Sequence, residues 1–408
     1  MSALDMTSFD AALKVHYTDD VIEKMTYKDH PFYALVPKYE KFGGKNLPID
    51  LIYANTGGRS ATFSNAQAQK LPGKYGQFVL TRNHDYSLAS IDNETIEASM
   101  GDANAMLEAA TSEIDLAMDA AGASAASACF RDGTGWIGQV ASTPSNNAST
   151  FQITLLNSSD VTQFDLNQTI VVYSATSGGS QRSSDGSNVS FPIVGIDRDQ
   201  GILTVTGTYS GSGTMVTNDY IFVSGDRGGK MKGLSAWIPY TAPTSTAFFG
   251  VDRTADTIRL AGCRKDISSV PMEEGLIDLA VRIGREGGRP DYCFMSFDKF
   301  GNLEKQLGSK VKYEDVEVGT IGFKSIAIQG PRGTIKVIAD QDCPSQYTWM
   351  VSMNTWKLYS LGKTPKILST DGNKMLRDSS SDSVEVRIGY YAQLGCRGPA
   401  WNGVGYLG

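Results

Sequence analysis

The sequence predicts an α+β protein built around one long helix, with an extended hairpin before it and an inserted all-β domain after it. Three observations carry this. Between Asp92 and Arg131, apolar residues recur at three- to four-residue spacing, the period of one helix face. The segment before it reads as two strands joined by a long polar tip. From Gly133 to about Gly233 the chain turns rich in Ser, Thr, Gly and Asn and breaks into short β-type runs.

Residues 1–44 read as an arm. A short helix fits Asp19–Tyr27, and His30-Pro31 should stop it, because the residue before proline avoids the helical region. Phe32, Tyr33, Leu35 and Val36 then form a short apolar anchor. Residues 45–90 form the hairpin. Lys45–Tyr53 is its first strand, at an edge because of Pro48, and Gln77–Ala89 is the second. The tip from Thr56 to Gly76 has Arg59, Lys70 and Lys74 as its only charges and few apolar residues, so it should lie on another surface. His84 shares an alternating face with Phe78, Leu80, Tyr86 and Leu88, which predicts a packed or hydrogen-bonded ring.

The long helix, within 91–135, has Asp92 or Asn93 as its cap and Glu94 and Glu97 in its first turn, where the helix dipole favours anions. Ile96, Met100, Leu107, Ile114, Met118 and Ala121 make its stripe, and Gly101 and Gly122 each weaken it by about 1 kcal/mol relative to Ala. Run to Arg131, it would be a rod of roughly 60 Å. The inserted domain, 136–233, has strand-like runs at Phe151–Leu156, Thr169–Tyr173, Phe191–Ile196, Ile202–Thr206 and Tyr220–Val223, which suits a sandwich or barrel. Residues 234–365 alternate helix and strand around a small sheet. The predicted helices are Thr254–Cys263, Met272–Gly284 and Asp298–Leu307. The predicted strands are Tyr292–Ser296, Gly322–Gln329 and Thr334–Ala339. Residues 366–408 carry a further strand, Val384–Leu394, and should return to the unit of the long helix.

Composition narrows the function. The chain has 408 residues, room for two to four domains, with 41% hydrophobic and 20% charged residues, enough to bury a core. A formal charge of -7 argues against a protein whose main task is gripping DNA or an anionic membrane. No apolar run nears the ~20 residues that span a bilayer, and no signal peptide is visible at Met1. Charge is unevenly spread. From Tyr75 to Gly229 there is no lysine, only five arginines against 17 acids, a net -12, while the rest of the chain is +5. Such opposite charges suit a chain that meets copies of itself, or equally an acidic insertion that serves solubility.

The chemical signal is close to nil. Gly133-Thr-Gly135-Trp-Ile-Gly138 spells a dinucleotide motif, but it follows a helix and enters a β-rich region, so it reads as a loop. Lys230 follows Gly228-Gly229 without phosphate-loop spacing. Asp197-Arg-Asp199-Gln-Gly201 reads as a β-turn rather than a calcium loop. The three histidines lack metal-binding spacing, and no nucleophile elbow is present. Five unclustered cysteines read as buried thiols of a reducing compartment. The expectation is therefore no enzyme, with no catalytic, metal or cofactor-binding residues and no cofactor.

The order of elements, arm, hairpin, long helix, mixed unit and closing strand, is distinctive. So is the ending Val384-Glu-Val-Arg-Ile-Gly-Tyr-Tyr-Ala-Gln-Leu-Gly-Cys-Arg-Gly-Pro399-Ala-Trp-Asn-Gly-Val-Gly-Tyr-Leu. Together they resemble the major capsid (coat) proteins of tailed bacteriophages, of the Hong Kong 97-type fold. The resemblance covers most of the chain outside about 136–233. It implies an N-terminal arm at 1–44, an extended loop at 45–90 and the spine helix of a peripheral domain at 91–135. It further implies an inserted β-rich domain at 136–233, an axial domain at 234–365 and a return to the peripheral domain at 366–408. It also implies hexamers and pentamers of an icosahedral shell around double-stranded DNA bound without sequence-specific contact, located in the virion and assembled in the host bacterial cytoplasm. Portal and decoration proteins would be partners. With no long charged helical segment ahead of the arm, scaffolding would come from a separate protein. The charge division then predicts that Arg59, Lys70 and Lys74 meet Glu97, Glu108, Glu113 and Asp115 on the helix of a neighbouring copy. An encapsulin-like compartment is an alternative with the same fold, and a cytoplasmic hydrolase with an accessory β-sandwich is a second.

Overall fold

The computed structural model describes residues 22, 25–92, 103–147, 149–210, 213–308, 313–318, 321–369, 374–378 and 381–408. The expected first helix falls partly outside this set; residues 25–27 are helical. His30-Pro31 ends that turn and also starts a helix of its own, α1 (Pro31–Leu35), with proline at a first-turn position where its missing N–H costs nothing. Phe32, Tyr33 and Ala34 are buried, so the predicted anchor forms as helix. Strand β1 (Lys38–Tyr39) follows.

The hairpin is β2 (Asn46–Ala54), a short helix α2 (Phe63–Ala68) and β3 (Lys74–Thr81), a two-stranded antiparallel sheet. The single second strand predicted at Gln77–Ala89 is corrected. The chain breaks at Arg82, and β4 (Asn83–Asp92) joins a different sheet. The Arg82 guanidinium lies 5.0 Å from the centre of the Phe42 ring and donates to the Phe42 carbonyl. The break changes the phase of the alternation. Phe78 and Leu80 are buried on β3, but on β4 the buried residues are Ala89 and Ile91. His84 is therefore exposed, its ring 5.4 Å from that of Tyr86, and the packed environment predicted for it does not form.

Helix α3 (Ala103–Phe130) has 28 described residues, ~42 Å of rod. Its expected start, with Glu94, Ile96, Glu97 and Met100, lies outside the described residues. Ile114, Met118 and Ala121 are buried as the stripe requires. Gly122 has a reason beyond helix propensity. A Cβ there would stand 3.2 Å from Thr26, so glycine lets the 25–27 turn cross the helix closely.

The inserted region contains β5 (Trp136–Gln139), β6 (Ser145–Asn147), β7 (Thr150–Thr154), β8 (Thr169–Tyr173), β9 (Phe191–Asp197), β10 (Ile202–Thr206) and β11 (Tyr220–Val223). They pair in the order β5-β11-β8-β9-β10-β7-β6. Ala141 N–H donates to Thr154 at 2.8 Å and Leu156 N–H to Gln139 at 2.8 Å, so the end of β5 also meets β7. The sheet thus curls back on itself as a small barrel. Phe151, Phe164, Phe191, Leu203 and Ile221 fill it. β5 and β6 escaped sequence reading because they are only four and three residues long, and β6 is wholly polar.

After α4 (Leu234–Trp237), the helix predicted at Thr254–Cys263 is corrected to a single 3-10 turn at Arg253–Asp256 and the start of β12 (Cys263–Asp266). Asp252 accepts the Thr254 N–H, and Asp256 accepts those of Ile258 and Arg259, so side chains take bonds that a helix would need. The chain continues through α5 (Met272–Arg285), β13 (Tyr292–Met295), α6 (Phe297–Leu307), β14 (Tyr313–Val318), β15 (Ile321–Gly330), β16 (Gly333–Ala339) and β17 (Tyr347–Val351). It ends with β18 (Trp356–Ser360), β19 (Lys366–Ile367), β20 (Met375–Arg377), β21 (Ser383–Cys396) and β22 (Gly403–Tyr406).

Two sheets organise the body. One has β21 at its centre, with β4, β18, β19 and β20 on it and β1 beside β18; α3 packs on it through Ile114, Ala117 and Met118 against Ala89, Ile91, Val386 and Ile388. The other runs β12-β22-β17-β13-β16-β15-β14, with α5 and α6 against it. The expectation that all of 366–408 returns to the sheet of the long helix is corrected at its end, because β22 pairs with β12 and β17 in the second sheet. Asn402, just before it, ties the two together. Its side chain accepts from Ser352 N–H at 2.7 Å and Trp356 Nε1–H at 2.9 Å.

Candidate functional site: an exposed hairpin tip

The hairpin is fixed at its base and bare at its tip. At the base, Phe78 packs edge-on to Trp237 with ring centres 5.1 Å apart, Val79 N–H donates to Phe249 at 2.9 Å, and Arg259 reaches Tyr53 at 2.8 Å. No residue from Asn55 to Gly76 is buried. The tip is less polar than the sequence suggested. Phe63 is 83% exposed, Leu71 and Tyr75 69% each, and Ile52 62%. These large side chains were visible in the sequence, but nothing there showed them all unburied. Four large apolar side chains are thus exposed on one hairpin.

Arg59, Lys70 and Lys74 are all exposed on this tip, which has no acid between Asn55 and Gly76. Of their predicted partners, Glu97 lies outside the described residues, and Glu108 lies in α3 in a stretch whose side chains are outside them too. Glu113 is exposed and Asp115 half-buried on α3. Among the described residues, no ion pair within one chain joins the three cations to Glu113 or Asp115.

The acids of the -12 region are not all available for partners. Lys230 Nζ holds Asp85 at 2.6 Å and Asp226 at 3.0 Å, and donates to Ser124 at 2.9 Å. Burial raises the Asp226 carboxyl despite that lysine. Arg131 holds Asp160 at 3.2 Å, and Arg182 grips Asp219 with two bonds of 2.9 and 3.0 Å. Lys230 with Asp85 and Asp226, and Arg131, line a cavity of about 290 Å³ where the barrel meets α3. A hydrolase would need a converging carboxylate pair. Asp85 and Asp226 do converge, but on Lys230, which occupies both as a structural joint.

The other chemical candidates read as scaffold. Gly133 and Gly135 sit at positive φ in the turn before β5, with no helix N-terminus to aim at a phosphate. Asp197 accepts the N–H groups of Asp199 and Gln200 in the β9–β10 turn. The five cysteines are unpaired and buried. Burial raises the thiols of Cys293 and Cys396 to about 12, far from nucleophilic use at neutral pH.

No protein-family model matches the sequence, and no curated protein matches it either. Solved structures similar to it include the capsid asymmetric unit of cyanophage A-1(L), at 11% identity and a TM-score of 0.48, covering 92% of this chain and 91% of that one. The capsid of an empty GTA particle matches at 9% identity and a TM-score of 0.45, over 93% and 90%. An encapsulin complex from Synechococcus elongatus matches at 8% identity and a TM-score of 0.44, over 100% and 96%.

Proposed function

We propose that this chain is the coat subunit of a tailed phage, self-assembling as hexamers and pentamers into an icosahedral shell around double-stranded DNA. The observation that carries this is the hairpin tip, about twenty residues with large apolar and cationic side chains that its own chain leaves uncovered. A partner must cover them, and a second copy supplies both an acidic helix face and further apolar surface. Each tip contact between exposed charges contributes only ~0–1 kcal/mol, but a closed shell repeats it at every subunit, and ring closure makes the repeats act together. Surplus carboxylates on an inner wall would keep DNA phosphates from sticking, so a genome could be packed and released. The domain roles follow the same reading with the corrected boundaries: arm at 1–44, loop from 45 to the end of β3 at Thr81, peripheral unit with β4, the spine helix and 366 to Cys396 at the end of β21, insertion at 136–233, and axial unit at 234–365 joined by the closing strand β22. A separate scaffolding protein, a portal and a decoration protein would complete the particle.

The test is negative-stain microscopy of expressed full-length chain, with and without its scaffold, against the triple variant Arg59→Glu, Lys70→Glu, Lys74→Glu. Closed particles from the parent and none from the variant, with unchanged circular dichroism, are expected. Normal particles from the variant would reject the contact, and a parent that stays monomeric under all conditions would reject the shell.

A further inference from the structure

The arm meets the second sheet at a buried polar knot. His30 Nδ1 lies 2.5 Å from Asp342 Oδ2, although 312 positions separate them. Asp340 Oδ2 accepts the Phe32 N–H at 3.0 Å in the first turn of α1, and its Oδ1 accepts the Asp342 N–H at 3.0 Å. From the foot of the barrel, Gln163 Nε2 donates to Asp342 Oδ1 at 3.4 Å. His30, Asp340 and Asp342 are all buried. Arm, barrel and sheet thus share one buried cluster of ionisable groups, with Asp342 and Gln163 also lining the cavity where the barrel meets α3.

We propose that this knot is a pH-controlled latch, which grips the arm anchor Pro31–Leu35 while proton-loaded and slackens as its protons leave. Two buried carboxylates stand beside one imidazole, so at most one cation balances two anions. With Asp340 protonated and His30 charged, the knot is neutral. Loss of the Asp340 proton leaves an unbalanced buried charge, and loss of the His30 proton breaks the pair with Asp342.

The shifts agree with this geometry. Burial first, then the Asp342 charge, push the Asp340 carboxyl up to about 7, although Phe32, Asp342 N–H and His30 pull it down. Burial opposes the His30 imidazolium, but the bond and charge of Asp342, with Asp340 and Asp29, outweigh it and raise the ring above its usual value. Other charges facing the knot are Lys28 and Asp29 on the arm itself and Asp119 on α3. Arg131 faces Cys343 beside it, with Asp160 as its partner. Asp119 is itself raised, by burial and then by Asp115 and Asp29. The folded-state values of Asp340, His30 and Asp119 are raised. Each group therefore stabilises the closed latch fully below its unfolded pKa, and that contribution is lost as pH climbs through the folded one. For Asp340 the window runs from its ordinary 3.8 to about 7; for His30 it lies above 6.5.

The latch belongs to the single chain, so its test is independent of the shell reading. Hydrogen exchange of the full-length chain, corrected for intrinsic rates, would be followed at about pH 6 and about pH 8.5. The amides of Phe32, Ala34 and Val36 should exchange about tenfold faster at the higher pH, while barrel amides such as Ile153 and Val172 should not change. Asp340→Asn, unable to ionise, should flatten the response. Equal protection of the arm amides at both pH values, parallel acceleration of arm and barrel, or an Asp340→Asn chain that responds like the parent would each overturn the latch. The parent's arm-to-barrel contrast decides the matter even where the variant fails to fold.

Discussion

The barrel and the hairpin tip are both excursions from the body, and they solve opposite problems. The barrel closes its own hydrogen bonds and buries its own core of Phe151, Phe164, Phe191 and Leu203. The tip buries nothing, and carries Phe63, Leu71 and Tyr75 into solvent. A protein can afford a self-sufficient excursion anywhere. One with exposed aromatic and cationic residues persists only if its partner lies elsewhere. On the proposed reading, the contrast separates a region whose sequence serves the single chain from one whose sequence serves contact between chains.

The sharpest way to break this comparison is to replace residues 56–73 with a short Gly-Ser turn. Assembly should be abolished while the monomer melts within a few degrees of the parent, because no buried group is lost; calorimetry and sedimentation velocity would show both. A monomer that unfolds on this change would put the tip in the core. Next in size, Phe151→Ala should destabilise the barrel by about 3–5 kcal/mol, measured by urea unfolding, with the hairpin's exchange protection untouched. Loss of protection at Phe78 in that variant would mean that the two excursions share one cooperative unit. The smallest effect belongs to Phe63→Ser, which should change monomer stability by less than about 0.5 kcal/mol yet raise the protein concentration needed for assembly. An unchanged assembly threshold would take Phe63 out of the contact.

What the sequence disclosed follows the same division. Local periodicity is readable, so α3, α5, the strands at Thr169–Tyr173 and Ile202–Thr206, and the long strand β21 stand close to their expected places. What depends on distant partners was not. The break at Arg82 is set by Phe42, forty residues away, and it turned His84 outward against the run of alternation. The helix expected at Thr254–Cys263 lost to aspartate side chains that capture the backbone. The barrel closes through bonds from the end of β5, a four-residue strand too short to show a period, to the end of β7. At the tip, the cations were legible from composition alone, whereas the exposure of Phe63 and Leu71 needed a fold to measure it against. The pairing of Lys230 with both Asp85 and Asp226 likewise joins residues more than a hundred positions apart on one side, so charge counting overstated how many acids remain for partners.

The neck of the barrel has a practical meaning. Gly233 N–H donates to Arg131 at 2.9 Å and Gly228 N–H to Thr134 at 2.7 Å, so the chain leaves the barrel beside the point where it enters. A segment with adjacent entry and exit is a natural splice site. The barrel could be excised and bridged by a few residues, or exchanged for a foreign domain with neighbouring termini, leaving the strand order of both body sheets as it stands.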